Sequence, residues 1–255
     1  MTFSPSHALS VWRRNASMYA RTWKLNLLPN FFEPVFYLMA IGIGVGAYID
    51  EMGGVSYVEF LAPGLICVAA MNGASFEVTY NIYVRLSFEK VYDAMLTTPL
   101  LPDDVLVGEL LWAVTRSTIY GGIFFLVVAA QGLAPLPQSA LVLLVVPLAG
   151  LLFAMIGITY SLRVPTIDFF SFYFTLFLTP LFLFSDVFFP IQERLSGPWL
   201  FVAEILPLLH PVRLARACFQ GTLGWQSLWD LAYILGVSAA LFGGARRAMR
   251  ARLTN

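Results

Sequence analysis

The sequence predicts an all-α polytopic membrane protein with six transmembrane helices, on three observations. Of its 255 residues 59% are apolar and only 12% charged, and its mean hydropathy is +0.77; a soluble domain carries about 25% charged residues. The apolar residues gather into runs long enough to cross roughly 30 Å of hydrocarbon. The charges fall in a few islands between those runs, the longest at residues 85–104.

The elements follow in chain order. Ser4 and Pro5 start a helix over residues 4–28, in which Trp12, Ala16, Tyr19, Trp23 and Leu27 recur at spacings of three and four. At 100° per residue those five lie within an arc of about 80°, with Arg13, Arg14, Arg21 and Lys24 opposite. An aromatic face set against a basic one suits an anionic membrane surface, with the helix in its plane. No long apolar core follows the basic residues before Pro29, so the stretch is not read as a cleavable signal. The first span is expected over 31–49, where Gly42 and Gly46 suit a close helix contact. The second is expected over 58–84, with Glu77 about two turns from its charged end.

In the island at 85–104, Phe88, Val91, Tyr92, Met95 and Leu96 share one helical face, and Glu89, Lys90 and Asp93 the other. This helix is too short and too charged to cross a bilayer. It is either a handle for a soluble partner or an interfacial helix that only covers the membrane surface. Pro102, Asp103 and Asp104 then start the next helix, with the carboxylates where a helix N-terminus carries partial positive charge.

The third span, 105–131, carries Glu109, Trp112 and Arg116 on one face. A lone arginine in hydrocarbon costs several kcal/mol, so Arg116 is expected to meet Glu77 or Glu109, either as a gate lining a cavity or as a buried pair fixing helix register. The fourth span is placed at 137–162. The fifth, at 169–187, is rich in phenylalanine and interrupted by Pro180, where a kink is expected. Its aromatic residues, among them Phe172, Tyr173 and Phe177, can stack on sugar rings or serve packing and lipid contact alone. Prolines cut residues 188–227 into short pieces bearing Glu193, Arg194, Glu204, Arg213 and Arg216, which reads as a re-entrant hairpin. The sixth span, 228–244, leads to Arg246, Arg247, Arg250 and Arg252.

Most of the fifteen basic residues lie in the first helix, the 85–104 island, the turn at Arg163 and the C-terminal tail. Positive charge marks that side, with both termini, as cytoplasmic. The two cysteines, Cys67 and Cys218, suggest no disulfide framework, and the two histidines no metal centre. Gly42-Ile43-Gly44-Val45-Gly46 is followed by no lysine-serine pair and is not read as a phosphate loop. An ion-coupled secondary transporter would show internal repeats and broken helices at the midplane. A membrane enzyme would need a catalytic constellation. Neither signature is present, and nothing points to nucleic acid.

Several local motifs sit in this frame: Val11-Trp12-Arg13-Arg14-Asn15; Val55-Ser56-Tyr57 before Phe60-Leu61-Ala62; Phe76-Glu77; Asp93-Ala94-Met95-Leu96; Gly108-Glu109 with Trp112-Ala113; and Leu206-Pro207-Leu208-Leu209-His210-Pro211. With the order of elements, they make the chain resemble the type-2 ABC export permeases, and among them the NodJ-type permeases that export lipo-chitooligosaccharide nodulation factors. The resemblance implies a homodimer in the bacterial inner membrane, working with two copies of a separate ABC ATPase that binds ATP and Mg, with no cofactor in this chain and no hydrolysis by it. Glu89 to Leu96, with Phe88, would form the coupling helix held by the ATPase. Trp12, Arg13, Arg14, Arg21 and Trp23 would lie near lipid headgroups and the ATPase. The cargo would be a lipo-oligosaccharide, glycolipid or other amphiphile; a drug or a polysaccharide is the alternative.

Overall fold

The computed structural model describes residues 3–46, 48–49, 51–52, 54–191 and 197–254; Glu193, Arg194 and the side chain of Leu27 lie outside the described part. Helix α1, Pro5–Gly44, is one helix of 40 residues. It joins the expected surface helix and first span into a single element that continues through Pro34. Its N-terminal half is held by α4, Pro102–Ala130. Ala8, Val11 and Asn15 recur at helical spacing and are buried, and Gly108 supplies their seat. A Cβ on Gly108 would stand 2.5 Å from Val11 Cβ and 2.7 Å from Ala8 O. The Trp12 indole donates to Thr115 Oγ1 at 3.0 Å. The aromatic stripe expected on lipid is therefore divided: Trp12 and Tyr19 turn to α4, while Trp23 stays exposed. Gly108→Val is expected to lift α1 off α4, read as a severalfold loss of cross-linking between Trp12→Cys and Thr115→Cys.

A two-stranded hairpin, β1 Glu51–Met52 and β2 Val55–Ser56, precedes α2, Tyr57–Phe76. Ser56 and Glu59 cap α2 reciprocally, Ser56 Oγ accepting from Glu59 N at 3.4 Å and Glu59 Oε2 from Ser56 N at 3.2 Å. The helix continues through two π-helical segments, Glu77–Asn81 and Val84–Phe88. Lys90, in the left-handed region at φ 49°, breaks the rod. The short helix α3, Val91–Leu96, follows. Phe88, expected on its apolar face, instead ends the second π segment and is 66% exposed. Thr97 and Thr98 close α3 by donating to Ala94 O and Met95 O.

Helix α5 is Val142–Ser161. The fifth apolar stretch is α6 Phe169–Phe172, a π segment Tyr173–Leu178, and α7 Thr179–Phe184. Pro180 sits in the first turn of α7, where its missing N–H does least harm. After it come α8 Pro198–Glu204, α9 Leu209–Gln220 and α10 Trp225–Thr254. Among the described residues four helical stretches are long and apolar enough to cross a membrane: Tyr57–Phe88, Pro102–Ala130, Gln138–Ser161 and Trp225–Leu253. Two shorter apolar ones are Phe32–Gly44, the last part of the continuous helix α1, and Phe169–Phe184, which reaches only about 24 Å at 1.5 Å per residue.

Helices surrounded by lipid associate through close packing rather than exclusion of water, which favours small residues at contacts. Here α2, α4 and α5 form the core, and glycines bring their backbones together. A Cβ on Gly121 would meet Val146, one on Gly150 would meet Ser117, and one on Gly157 would meet Val78, each inside normal contact distance. Gly42 and Gly46 are not such contacts. A Cβ on Gly42 would sit at an ordinary 3.5 Å from Val58, and one on Gly46 would meet only the oxygen of Gly42.

Both ends of the bundle are tied by charge. At the α3 end, Asp104 Oδ1 accepts from Ser4 N at 2.9 Å and Oδ2 from Leu101 N at 3.0 Å, so one carboxylate caps α1 and α4. Asp103 takes Arg246 and Arg250 of α10, and Arg252 donates to the Leu162 and Val164 carbonyls after α5. At the opposite end Arg213 binds Glu204 of α8 and Asp230 of α10. His210 pairs with Asp230 at 2.8 Å and lies against the Tyr233 ring. The Arg216 guanidinium covers the Phe60 ring at 3.7 Å and contacts Asp186.

Candidate functional site

The charged residues singled out in the spans meet in one place, with a fourth member. Glu77, at the start of the first π segment, and Glu109, two turns into α4, are both buried. Arg116 donates to Glu77 Oε2 at 2.5 Å and also to the Tyr120 hydroxyl. It does not reach Glu109. The cation on Glu109 is Arg85, which donates 2.6 Å to Glu109 Oε2 from one nitrogen and 2.6 Å to Glu77 Oε1 from another. Asn15 of α1 adds a bond to Glu109 Oε2 at 3.0 Å, and Asn81 one to Glu77 Oε2 at 2.7 Å. Two carboxylates and two guanidiniums thus form a linear chain, Glu109–Arg85–Glu77–Arg116, balanced in charge. Such balance is what makes four buried charges tolerable in a low-dielectric setting.

Local backbone explains how Arg85 arrives there. In a regular α-helix a residue eight positions after Glu77 is about 80° off its face. A π turn takes in an extra residue, and with π turns on both sides of Ile82 and Tyr83 Arg85 swings back over Glu77. Asn15 had a signal of its own, since it is the polar member of the inward row Ala8, Val11, Asn15.

The short helix α3 lies next to this network. Tyr92 is its one fully buried side chain among the described residues. Burial first, then the nearby charge of Glu109, pushes the Tyr92 phenol well above its usual range. Val91, Met95 and Leu96 are partly buried, whereas Glu89, Lys90 and Asp93 are exposed. The helix therefore offers a charged outer side and one aromatic anchor turned to the ion chain. On α1, Arg13 and Arg21 are exposed, Trp23 half-exposed, and Arg14 bonds Asn15 Oδ1 at 3.1 Å.

The aromatic candidates of the fifth stretch share one hollow. Phe172, Tyr173 and Phe177 face Ile156 and Tyr160 of α5 around a small apolar hollow of about 300 Å³. Tyr173 is buried and shares a hydrogen bond with Ser75 Oγ at 3.2 Å. The larger cleft, about 400 Å³, opens on the other side, lined by Phe174, Thr175, Leu178, Thr179 and Phe182 with α1 and α2 residues including Tyr37 and Asn72. Phe174 stacks on Phe76 there at 4.5 Å.

A bundle of membrane-length helices, with a short end helix anchored to an internal ion network and an apolar cleft alongside, is the build of a membrane transport subunit. The chain belongs to the ABC-2 type transporter family, whose family model matches residues 7–219. It is 35% identical over 213 residues to Nodulation protein J of Rhizobium leguminosarum bv. viciae, covering 84% of this chain and 82% of that protein. It is 32% identical over 214 residues to Nodulation protein J of Rhizobium meliloti (strain 1021), covering 84% and 81%. The inner membrane transport permease YadH of Escherichia coli (strain K12) is 25% identical over 216 residues, covering 83% and 82%. The protein is therefore a multi-pass permease subunit of an ABC transporter, a transport subunit rather than an enzyme by itself, and the family implies an ABC ATPase partner.

Proposed function

We propose that this permease works as a homodimer with two copies of a separate ABC ATPase and exports a lipo-oligosaccharide or related glycolipid from the cytoplasm or inner leaflet. ATP and Mg belong to the ATPase. The observation that carries the reading is α3, a charged helix at one end of the bundle whose single deep anchor, Tyr92, sits on the ion chain joining α2 and α4. A helix so placed suits a cleft in a soluble motor subunit, and the rods behind it are rigid enough to carry its displacement. Exposed Glu89, Lys90 and Asp93 are the ATPase-facing charges, with Arg13 and Arg21 of α1 beside anionic headgroups.

In this reading the chain makes six spans in a bacterial inner membrane, and the basic residues at the α3 end support placing both termini in the cytoplasm. Phe169–Phe184 is short for a bilayer spanned alone and fits a dimer face where the membrane is locally thinned. The 400 Å³ cleft between α1, α2 and the fifth stretch then lies toward the second protomer, its aromatic wall suited to an acyl chain or a sugar face. The named relatives from Rhizobium favour a nodulation signal as cargo. Glu89→Arg tests the coupling assignment: the ATPase is expected to stop copurifying while the permease still inserts. Undiminished copurification and transport would remove α3 from that role.

A further inference from the structure

A third cavity, of about 280 Å³, lies on the α1 side of the ion chain, between α1, the π-helical end of α2, and α4. Its walls include Arg14, Asn15, Tyr19, Thr22 and Asn26 of α1, with Asn81, Trp112 and the ion pair Glu77 and Arg116. We propose that this cavity binds the neutral, polyhydroxylated head of the cargo before it moves to the larger cleft. The proposal rests on the exporter reading and deepens it.

The charged groups deep in the cavity are already committed to one another. Both terminal nitrogens of Arg85 go to Glu77 and Glu109, and those of Arg116 to Glu77 and Tyr120. Glu77 receives Arg85, Arg116 and Asn81, so that the charges left to the lining are Arg14, bonded through one nitrogen to Asn15 Oδ1, and the exposed Glu89 at the mouth. Two polar atoms in the walls nevertheless have no partner among the described residues. They are Nε of Arg116, a residue 7% exposed, and the Tyr19 hydroxyl. One is a fixed donor and the other both donor and acceptor. An unpartnered buried donor costs on the order of 1–3 kcal/mol, so such atoms mark a place where something else completes the bonds.

A sugar hydroxyl donates and accepts at once, and carries no charge to upset the balanced ion chain. The Tyr19 ring, held edge to face at 5.5 Å against the buried Trp112, gives the apolar flank that a pyranose face packs against. Thr22, Asn26 and Asn81 extend the polar lining. The walls come from the same elements that meet α3, so an occupied cavity and a displaced coupling helix act on one ion chain.

The test uses the permease with its ATPase in lipid nanodiscs, with N-acetylglucosamine tetrasaccharide and maltotetraose as neutral probes and inorganic phosphate as the anionic one. Binding is read by saturation-transfer NMR. A neutral saccharide is expected to bind, phosphate is not expected to displace it, and Tyr19→Phe and Thr22→Val should each weaken it about fivefold, the effect of one lost hydrogen bond. Phe201→Ala, exposed on α8 at the opposite end of the bundle, should leave it unchanged. Absence of saccharide binding, equal binding by Tyr19→Phe and Thr22→Val, or displacement by phosphate would overturn the proposal. ATPase copurification and nucleotide-dependent turnover, recorded on the same samples, separate this failure from failure of the exporter reading, which alone predicts both.

Discussion

Arg85→Ala is expected to damage the protein more than Arg116→Ala. Arg85 bridges two buried carboxylates, 2.6 Å from each, whereas Arg116 meets only Glu77. Loss of Arg116 leaves Glu77 still paired. Loss of Arg85 leaves Glu109 with no cation in contact among the described residues, beside only the neutral Asn15 amide and Tyr92 phenol there. Breaking a buried pair by removing one partner costs about 3–5 kcal/mol, because the remaining charge is stranded in a low dielectric. That is a large share of a typical stability of roughly 5–15 kcal/mol, so Arg85→Ala should fall sharply in detergent-stable yield and thermal midpoint. Adding Glu109→Gln removes the stranded charge and should restore part of the loss. No restoration, or a milder effect than that of Arg116→Ala, would contradict the bridging geometry.

Tyr92→Ala is the second large effect. The side chain is fully buried beneath α3, and truncating a buried aromatic to alanine costs about 3–5 kcal/mol where the site cannot collapse. The loss falls on a helix of six residues, α3, with few other anchors. It should detach locally rather than unfold the bundle. The expected result is a folded, inserted permease whose ATPase activity no longer responds to cargo, with faster hydrogen exchange confined to Val91–Leu96. Tyr92→Phe keeps the ring and loses only a hydroxyl that makes no hydrogen bond of normal geometry, so it should be nearly silent. Equal effects of the two substitutions would mean that the phenol, not the packing, carries the contact.

The fold was legible where composition decides it. Long apolar runs separated by charged islands can hardly be anything but membrane helices, and the breaks at Pro102 and in the proline-rich stretch before α10 mark real helix ends. The convergence of Glu77 and Arg116 was legible because a membrane arginine must find a carboxylate. The place of Arg85 was not, because regular helical spacing puts it off the Glu77 face and only the π turns bring it round. The docking of α1 was hidden for a related reason. Its amphipathic pattern reads as a helix on lipid, but its inward row ends in Asn15, whose partner Glu109 is 94 residues away. The glycine contacts were misplaced because Gly42 and Gly46 show a familiar spacing. The glycines that matter, Gly108, Gly121, Gly150 and Gly157, are each set by the shape of a neighbouring helix. The tail arginines announced a topology, while their use in clamping Asp103 and the end of α5 is a tertiary fact.

ATP hydrolysis by the permease and its partner ATPase in lipid nanodiscs, measured with and without added lipo-oligosaccharide, tests the coupling account most directly. The account predicts stimulation by the lipid-linked sugar in the native complex and its loss in Glu89→Arg. Copurification without stimulation, or stimulation that survives Glu89→Arg, would contradict the assignment of Val91–Leu96 as the helix that carries the motor's motion into the membrane.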